Sequence, residues 1–163
     1  MARLSTLGVT VGYGIEASAG VKPSTFTQIE ECSNIAGVAL STESIDASAL
    51  EDYITQYVEG RADTGGTWDL EFRLDPDKSM SQIEAMYTAS NTAKASGLRT
   101  WWEVIVPGLT KAFFVVAACG SSEIPMPEMG QNDALTITLS LVINEYKGLD
   151  TKVAFSGGGG STN

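Results

Sequence analysis

The residue types that carry most enzymatic chemistry are scarce in this chain. It has no histidine, which removes Ser-His-Asp and Cys-His nucleophiles and histidine metal ligands at once. It contains neither a Walker loop nor a G-x-G-x-x-G fingerprint, and two cysteines, Cys32 and Cys119, do not make a structural zinc site on their own. We therefore expect no catalytic residue, no bound metal and no cofactor.

The carboxylates have simpler explanations than catalysis. Asp75 and Asp77 resemble the acid pair of a glycosidase, but they flank Pro76 at the end of a predicted strand, where turn and cap roles explain them. A calcium loop needs alternating oxygen ligands around a tight glycine turn, and Glu59, Asp63 and Gly65 match that pattern poorly. Small buried thiols are the simplest interpretation of both cysteines.

The charge of the chain is strongly acidic and unevenly placed. Ten basic residues against twenty acidic ones give a formal charge of −10, and residues 43–77 hold ten acids against Arg61 and Arg73. Phosphate binding needs clustered Lys and Arg, so the composition argues against a protein that grips nucleic acid. It suits a protein that stays soluble or repels a polyanion. The first residues lack the apolar core of a signal peptide, so we expect a soluble product made in a cytoplasm.

Periodicity predicts one clear strand followed by one helix. Residues 67–74 alternate strictly between apolar and polar side chains, which is typical of an antiparallel strand with one wet face. Apolar residues then follow helical spacing, which predicts a helix over about 79–94. Ser79 and Gln82 form a possible capping box at its start, and Gly97 suits its end.

The remaining strands complete a mostly β domain. Residues 99–106 and 111–118 flank a Pro-Gly turn and predict a hairpin, and residues 134–144 predict a long central strand. We interpret residues 1–24 as an extended N-terminal arm and residues 156–163 as a flexible Gly-rich tail outside the fold. The sequence predicts a single domain over 1–155: an antiparallel β-sandwich or partly closed barrel of six to seven strands with one packed helix, a long acidic loop and extended terminal arms.

The order of these segments resembles a known family. Residues 44–48 (SIDAS), residues 50–52 (LED), a long acidic loop and the strand 66–75 (GTWDLEFRLD) resemble the central signature of the major tail tube proteins of long-tailed bacteriophages. The resemblance implies the tail tube fold, which is shared with the tube of type VI secretion. It also implies hexameric rings that stack into a DNA conduit within the virion tail. Implied partners are further copies of the chain and the tape measure, tail terminator and distal tail proteins, with DNA passing unbound.

Two sets of residues are candidates for the contacts of such a tube. Residues 42–66 are long for a connection in a compact domain, so we predict that this assembly loop contacts an adjacent ring. The wall facing the lumen is either the polar side of the last strand or the polar side of strand 67–74. The contact candidates are Ile45, Asp46, Leu50, Tyr53, Ile54 and Tyr57, and the lumen candidates are Thr136, Thr138 and Ser140, or Asp69 and Glu71.

A second class of function remains open at this point. A secreted or surface β-sandwich binds carbohydrate or protein through an exposed aromatic platform, and Tyr53, Trp68, Trp101 and Trp102 are the aromatics available for one. Alternation places Trp68 in a core, which argues against the platform. Of the neighbouring pair Trp101 and Trp102, we expect one to face the core and the other a neighbour.

Overall fold

A computed structural model describes residues 8–38, 41–46, 57–63, 66–119, 123–127, 129 and 135–155, with the backbone alone described for 41–46 and 57–63. Its elements follow the chain in this order: β1 (Thr10–Ile15), β2 (Thr27–Ile29), β3 (Cys32–Ile35), β4 (Ser41–Asp46), β5 (Tyr57–Asp63), β6 (Thr67–Arg73), α1 (Ser79–Ala95), β7 (Thr100–Ile105), β8 (Lys111–Cys119) and β9 (Thr136–Thr151). The segment predicted as a long loop thus contains two strands, and the segment predicted as an arm contains β1.

Seven strands form one antiparallel sheet in the order β2-β1-β7-β8-β9-β6-β3. The sheet is open, with short edge strands β2 and β3, so the mostly β class with one helix is confirmed and the sheet does not close into a barrel. Strands β4 and β5 pair with each other as a separate hairpin. No helix in the described part of the chain is long and apolar enough to cross a membrane.

The main core lies between α1 and one face of the sheet. The predicted alternation holds in β6, where Trp68, Leu70 and Phe72 are buried, and in β9, where Leu139 and Leu141 are buried. The buried side of α1 meets these residues through its apolar stripe, which includes Ile83, Met86 and Tyr87. Burial of apolar side chains between a sheet and one helix is therefore the principal stabilising contribution.

The helix ends as the sequence predicts but begins differently. Gly97 has a φ of 76°, and the Leu98 amide donates to the Ala93 carbonyl at 2.8 Å, which closes the last turn. The predicted capping box is wrong, because Ser79 is already the first helical residue and its hydroxyl donates to the Arg73 carbonyl. Gln82 instead accepts from the Glu30 amide at 2.7 Å and so ties the helix to the β2–β3 connection.

The second face of the sheet is also covered at one end. A cluster of Phe26, Trp101, Ala112, Phe114 and Val116 is buried there, with Val153 and Phe155 packed against it. Trp102 faces the main core, as one of the pair was expected to. The expectation that the other faces a neighbour is wrong within this chain, because the chain's own C-terminal residues help to bury Trp101.

A buried carboxylate fixes the start of β7 against the end of β1. Glu16 Oε2 accepts from Trp101 Nε1 at 2.7 Å, and Oε1 accepts from the Arg99 amide at 3.0 Å. The Arg99 guanidinium lies 3.4 Å from Oε2. Burial alone raises the pKa of Glu16, but the hydrogen bonds from Trp101 and from the Arg99 and Gly20 backbone, with the charge of Arg99, bring the pKa below its ordinary value. The ionised form is therefore the one that the fold stabilises.

We expect Glu16→Ala to lower the free energy of unfolding by about 2–3 kcal/mol at pH 7, because it leaves the buried Trp101 N–H without a partner. The native pKa lies below the unfolded one, so this contribution is present above about pH 4.5 and is lost as pH falls through the native pKa. Urea unfolding between pH 3 and pH 7 measures both effects. Glu145 is the matched control, since it contacts the same Arg99 at 3.2 Å on the surface, and Glu145→Gln should cost about 0.5 kcal/mol. Equal losses in the two variants would contradict the role assigned to Glu16.

Gly12 in β1 is a position where the second face tolerates no side chain. A Cβ atom there would lie 2.6 Å from the Thr27 carbonyl oxygen and would overlap the ring of Phe155. We expect Gly12→Ala to destabilise the chain by about 1–3 kcal/mol through overpacking. Gly37 has open space around the same atom and no positive φ, so Gly37→Ala should be close to neutral. Thermal unfolding of the pair tests this, and an unchanged midpoint for Gly12→Ala would contradict it.

Candidate assembly surfaces

The β4–β5 hairpin carries part of the predicted contact set. Its register pairs Ser41 with Asp63 at the base and Asp46 with Tyr57 towards the tip, with an irregularity between Thr42 and Ser44. Ile45 pairs with Val58 next to the Asp46–Tyr57 pair, so the hairpin brings together three of the predicted contact positions. Leu50, Tyr53 and Ile54 lie outside the described residues. A two-stranded ribbon on its own is marginally stable in water, which makes a partner for this hairpin physically reasonable.

The two alternative lumen walls are neighbours on one face of the sheet. Asp69 pairs with Ser140 and Glu71 pairs with Thr138 across β6 and β9, and directly paired residues in an antiparallel sheet point to the same side. The Ser140 hydroxyl donates to Asp69 Oδ1 at 2.8 Å. The sequence offered these residues as separate candidates, and the register joins them into a single surface.

Two further residues extend this surface beyond the predicted set. The Ser33 hydroxyl on the edge strand β3 donates to Glu71 Oε1 at 2.9 Å, and Arg73 pairs with Thr136 at the end of β6. Alternation along β6 already placed Arg73 on the wet side, whereas no sequence signal linked Ser33 to Glu71. We call the combined surface the polar wall; it consists of Ser33, Asp69, Glu71, Arg73, Thr136, Thr138 and Ser140.

The polar wall is lined by hydroxyls and carries little positive charge. Thr138, Ser140 and Asp69 are exposed, and Thr136 and Glu71 are half-buried. Two carboxylates and one guanidinium are the charged groups of the wall, and the hydroxyl of Ser140 is already engaged with a carboxylate. A surface of this kind hydrates well and offers duplex DNA no row of cations to hold its phosphates.

The tryptophans form no exposed platform. Trp68, Trp101 and Trp102 are all nearly fully buried, and each indole N–H donates to a protein oxygen: those of Ala36, Glu16 and Ala117, respectively. Tyr53 lies outside the described residues. The aromatic recognition surface considered from sequence therefore lacks the three tryptophans.

The described residues also contain no group of three or more His, Cys, Asp or Glu side chains placed to hold a metal ion. Both thiols are free, with Cys119 buried and Cys32 half-buried. Burial raises the pKa of Cys32 to about 11, which favours the protonated thiol at neutral pH.

Comparison with known proteins bears on the fold. No family model and no curated protein matches the sequence. The chain is similar in structure to a chain in the cryo-EM structure of the anti-feeding prophage (AFP) baseplate, 6-fold symmetrised, with a TM-score of 0.55 and 9% sequence identity. The match covers 90% of this chain and 95% of that chain, so the two share a fold over nearly their whole lengths.

Proposed function

We propose that this chain is a structural, non-enzymatic subunit of a phage-tail-like particle, and that it self-assembles into stacked hexameric rings forming the tail tube. The observation that carries the proposal is the shared fold with a chain of a prophage baseplate over nearly the full length of both. The resemblance of segments within residues 44–75 to the tail tube signature supports the tube over other tail components. The subunit then assembles in the host cytoplasm and resides in the virion tail. Its partners are its own copies and the tape measure, tail terminator and distal tail proteins.

Ring closure in this proposal uses the two open edges of the sheet. Strands β2 and β3 are the edges, and within the described residues no further strand of the sheet pairs with the outer side of either one. Pairing the β2 edge of one subunit with the β3 edge of the next is a heterologous contact. Such a contact closes a ring when a whole number of equal rotations between subunits adds up to 360°. The polar wall lies at the β3 side of the sheet. Closing the ring would therefore place one copy of the polar wall on every subunit around the ring.

Ring stacking in this proposal uses the hairpin. Because β4 and β5 form a sheet of their own, the hairpin is available to contact another ring without disturbing the seven-stranded sheet. Its predicted contacts are Ile45, Asp46 and Tyr57 together with Leu50, Tyr53 and Ile54.

The polar wall in turn is proposed to line the lumen. There the carboxylates repel the passing duplex, and the hydroxyls and carboxylates keep the surface hydrated.

Replacing residues 42–62 with an Asn-Gly turn between Ser41 and Asp63, which pair at the hairpin base, should abolish stacking. We expect the unmodified chain to form filaments in negative-stain micrographs when concentrated, and the shortened chain to give single rings or smaller species. Circular dichroism and thermal unfolding should show that the seven-stranded sheet is retained.

Removal of residues 156–163 is the matched control, because this predicted tail should not be needed for tubes. Long tubes from the shortened variant would show that the hairpin is not the stacking contact. Sedimentation of the full chain as a compact monomer at every concentration and salt would overturn the tube proposal itself.

Adding positive charge to the wall should hinder DNA passage. We expect particles built with Thr136→Lys and Thr138→Lys to assemble but to eject DNA more slowly, with a larger effect at low salt because screening is weaker there. Asp69→Lys with Glu71→Lys should have the same effect, since those residues share the face. Ejection is measured as the rise in fluorescence of a DNA-binding dye.

Thr88→Lys with Thr92→Lys supplies the same charge on the exposed side of α1 and should leave ejection unchanged. If the wall variants and the helix variant behave alike, the wall does not face the lumen. Tight binding of duplex DNA by the unmodified protein at physiological salt would exclude a conduit.

A further inference from the structure

The C-terminal strap, residues 152–155, lies over the covered half of the second sheet face. It follows β9 directly, and the Val153 amide donates to Glu103 Oε2 at 2.8 Å. Phe155 forms a parallel bridge with Phe26, the residue before edge strand β2, and its ring occupies the space that Gly12 leaves open. Within the described residues the strap is held by the Val153–Glu103 hydrogen bond, by the bridge to Phe26 and by the packing of Val153 and Phe155.

Glu103 is an unusual anchor for this strap. It lies in the middle of β7 with no exposed surface, and its Oε1 atom has no hydrogen-bond partner within the part of the chain that the structure describes. Its cross-strand neighbours are Gly12 on β1 and Phe114 on β8, neither of which titrates. A carboxylate held this way in an apolar site is costly when charged.

Two lysines lie near enough to influence Glu103 without forming an ion pair with it. Lys22, from the β1–β2 connection, places its Nζ 3.3 Å from Asp150 and 2.8 Å from the Thr151 carbonyl oxygen. Lys152 belongs to the strap itself and is exposed. Burial raises the pKa of Glu103, and the Val153 amide and the charges of the two lysines offset part of that rise without reversing it.

We propose that Glu103 is a latch for the strap, which holds residues 152–155 against the sheet in its protonated form and releases them when it ionises. With Oε2 accepting from the Val153 amide, the proton resides on Oε1, and Glu103 itself then carries no charge. Ionisation leaves a charge without an ion pair beneath the strap, and lifting the strap lets water reach it. Release also uncovers the cluster around Phe26, Trp101 and Phe114.

The pH dependence follows from the raised pKa of the docked state. At a pH below the ordinary value of 4.5 the carboxyl is protonated in both states, and docking is at full strength. As pH rises from there towards the raised pKa, the released state loses its proton first. The equilibrium constant for docking of the strap then falls by up to about tenfold for each pH unit between the pKa of the released state and that of the docked state. The latch operates within one chain and is independent of tube assembly.

Hydrogen exchange of the amides of residues 152–155 between pH 4 and pH 8, corrected for intrinsic exchange rates, tests the latch. We expect protection of the strap to fall as pH rises, by up to about tenfold for each pH unit between the two pKa values of Glu103, while amides of central β8 such as Val115 stay protected. Glu103→Gln keeps an acceptor for the Val153 amide without the charge, so its strap should remain protected across the whole range.

Two controls make the outcome decisive. Glu145→Gln removes an exposed acid of β9 and should keep the pH profile of the unmodified chain, and Phe155→Ala should leave the strap unprotected at every pH. Protection in the unmodified chain that is flat or rises with pH would overturn the proposal, and this measurement needs no variant to fold. A Glu103→Gln chain that retains the original pH profile would overturn it as well.

Discussion

The register of β9 against its two neighbours is the constraint on which the rest of the structure depends. Its first half pairs with β6, from Thr136 opposite Arg73 to Val142 opposite Thr67, and its residues from Leu141 onwards pair with β8. In this register Leu139 is buried while Ser140 is exposed. Because side chains alternate between faces, a slip of β9 by one residue would bury its wall residues Thr136, Thr138 and Ser140 and expose its core leucines. The core and the candidate lumen surface are thus two sides of one pairing.

Strong periodicity explains which elements the sequence predicts well. Strand β6 and helix α1 lie within a residue of their predicted bounds, because each repeats its apolar positions at the period of its structure. Strand β9 continues seven residues past the predicted end at Asn144, to Thr151. Its pairing with β8 is irregular between Val116 and Ala117, and Asn144 and Glu145 are both exposed. The alternation therefore stops there although the strand does not.

Long-range pairing explains what the sequence leaves open. The pattern RTWWEVI has buried residues on both faces, and nothing local indicates that residues near 153 return to cover Trp101. Likewise, the two lumen candidates could not be recognised as one surface, since alternation reports a side of each strand and not the register between strands some 70 residues apart. The proposed hairpin contacts are with another copy of the chain, which a single chain does not contain, so all six predicted contact positions stay predictions.

The second face of the sheet combines two surfaces that act separately. Hydrogen bonds of the polar wall join β3, β6 and β9, whereas the strap is held by Glu103 on β7 and by packing over β1 and β8. Within the described residues the two surfaces share no hydrogen-bond partner, so substitutions in them should have additive effects on stability. Opposite chemistry on the two halves of one face lets a single sheet present a wet wall at one edge and a covered apolar cluster at the other.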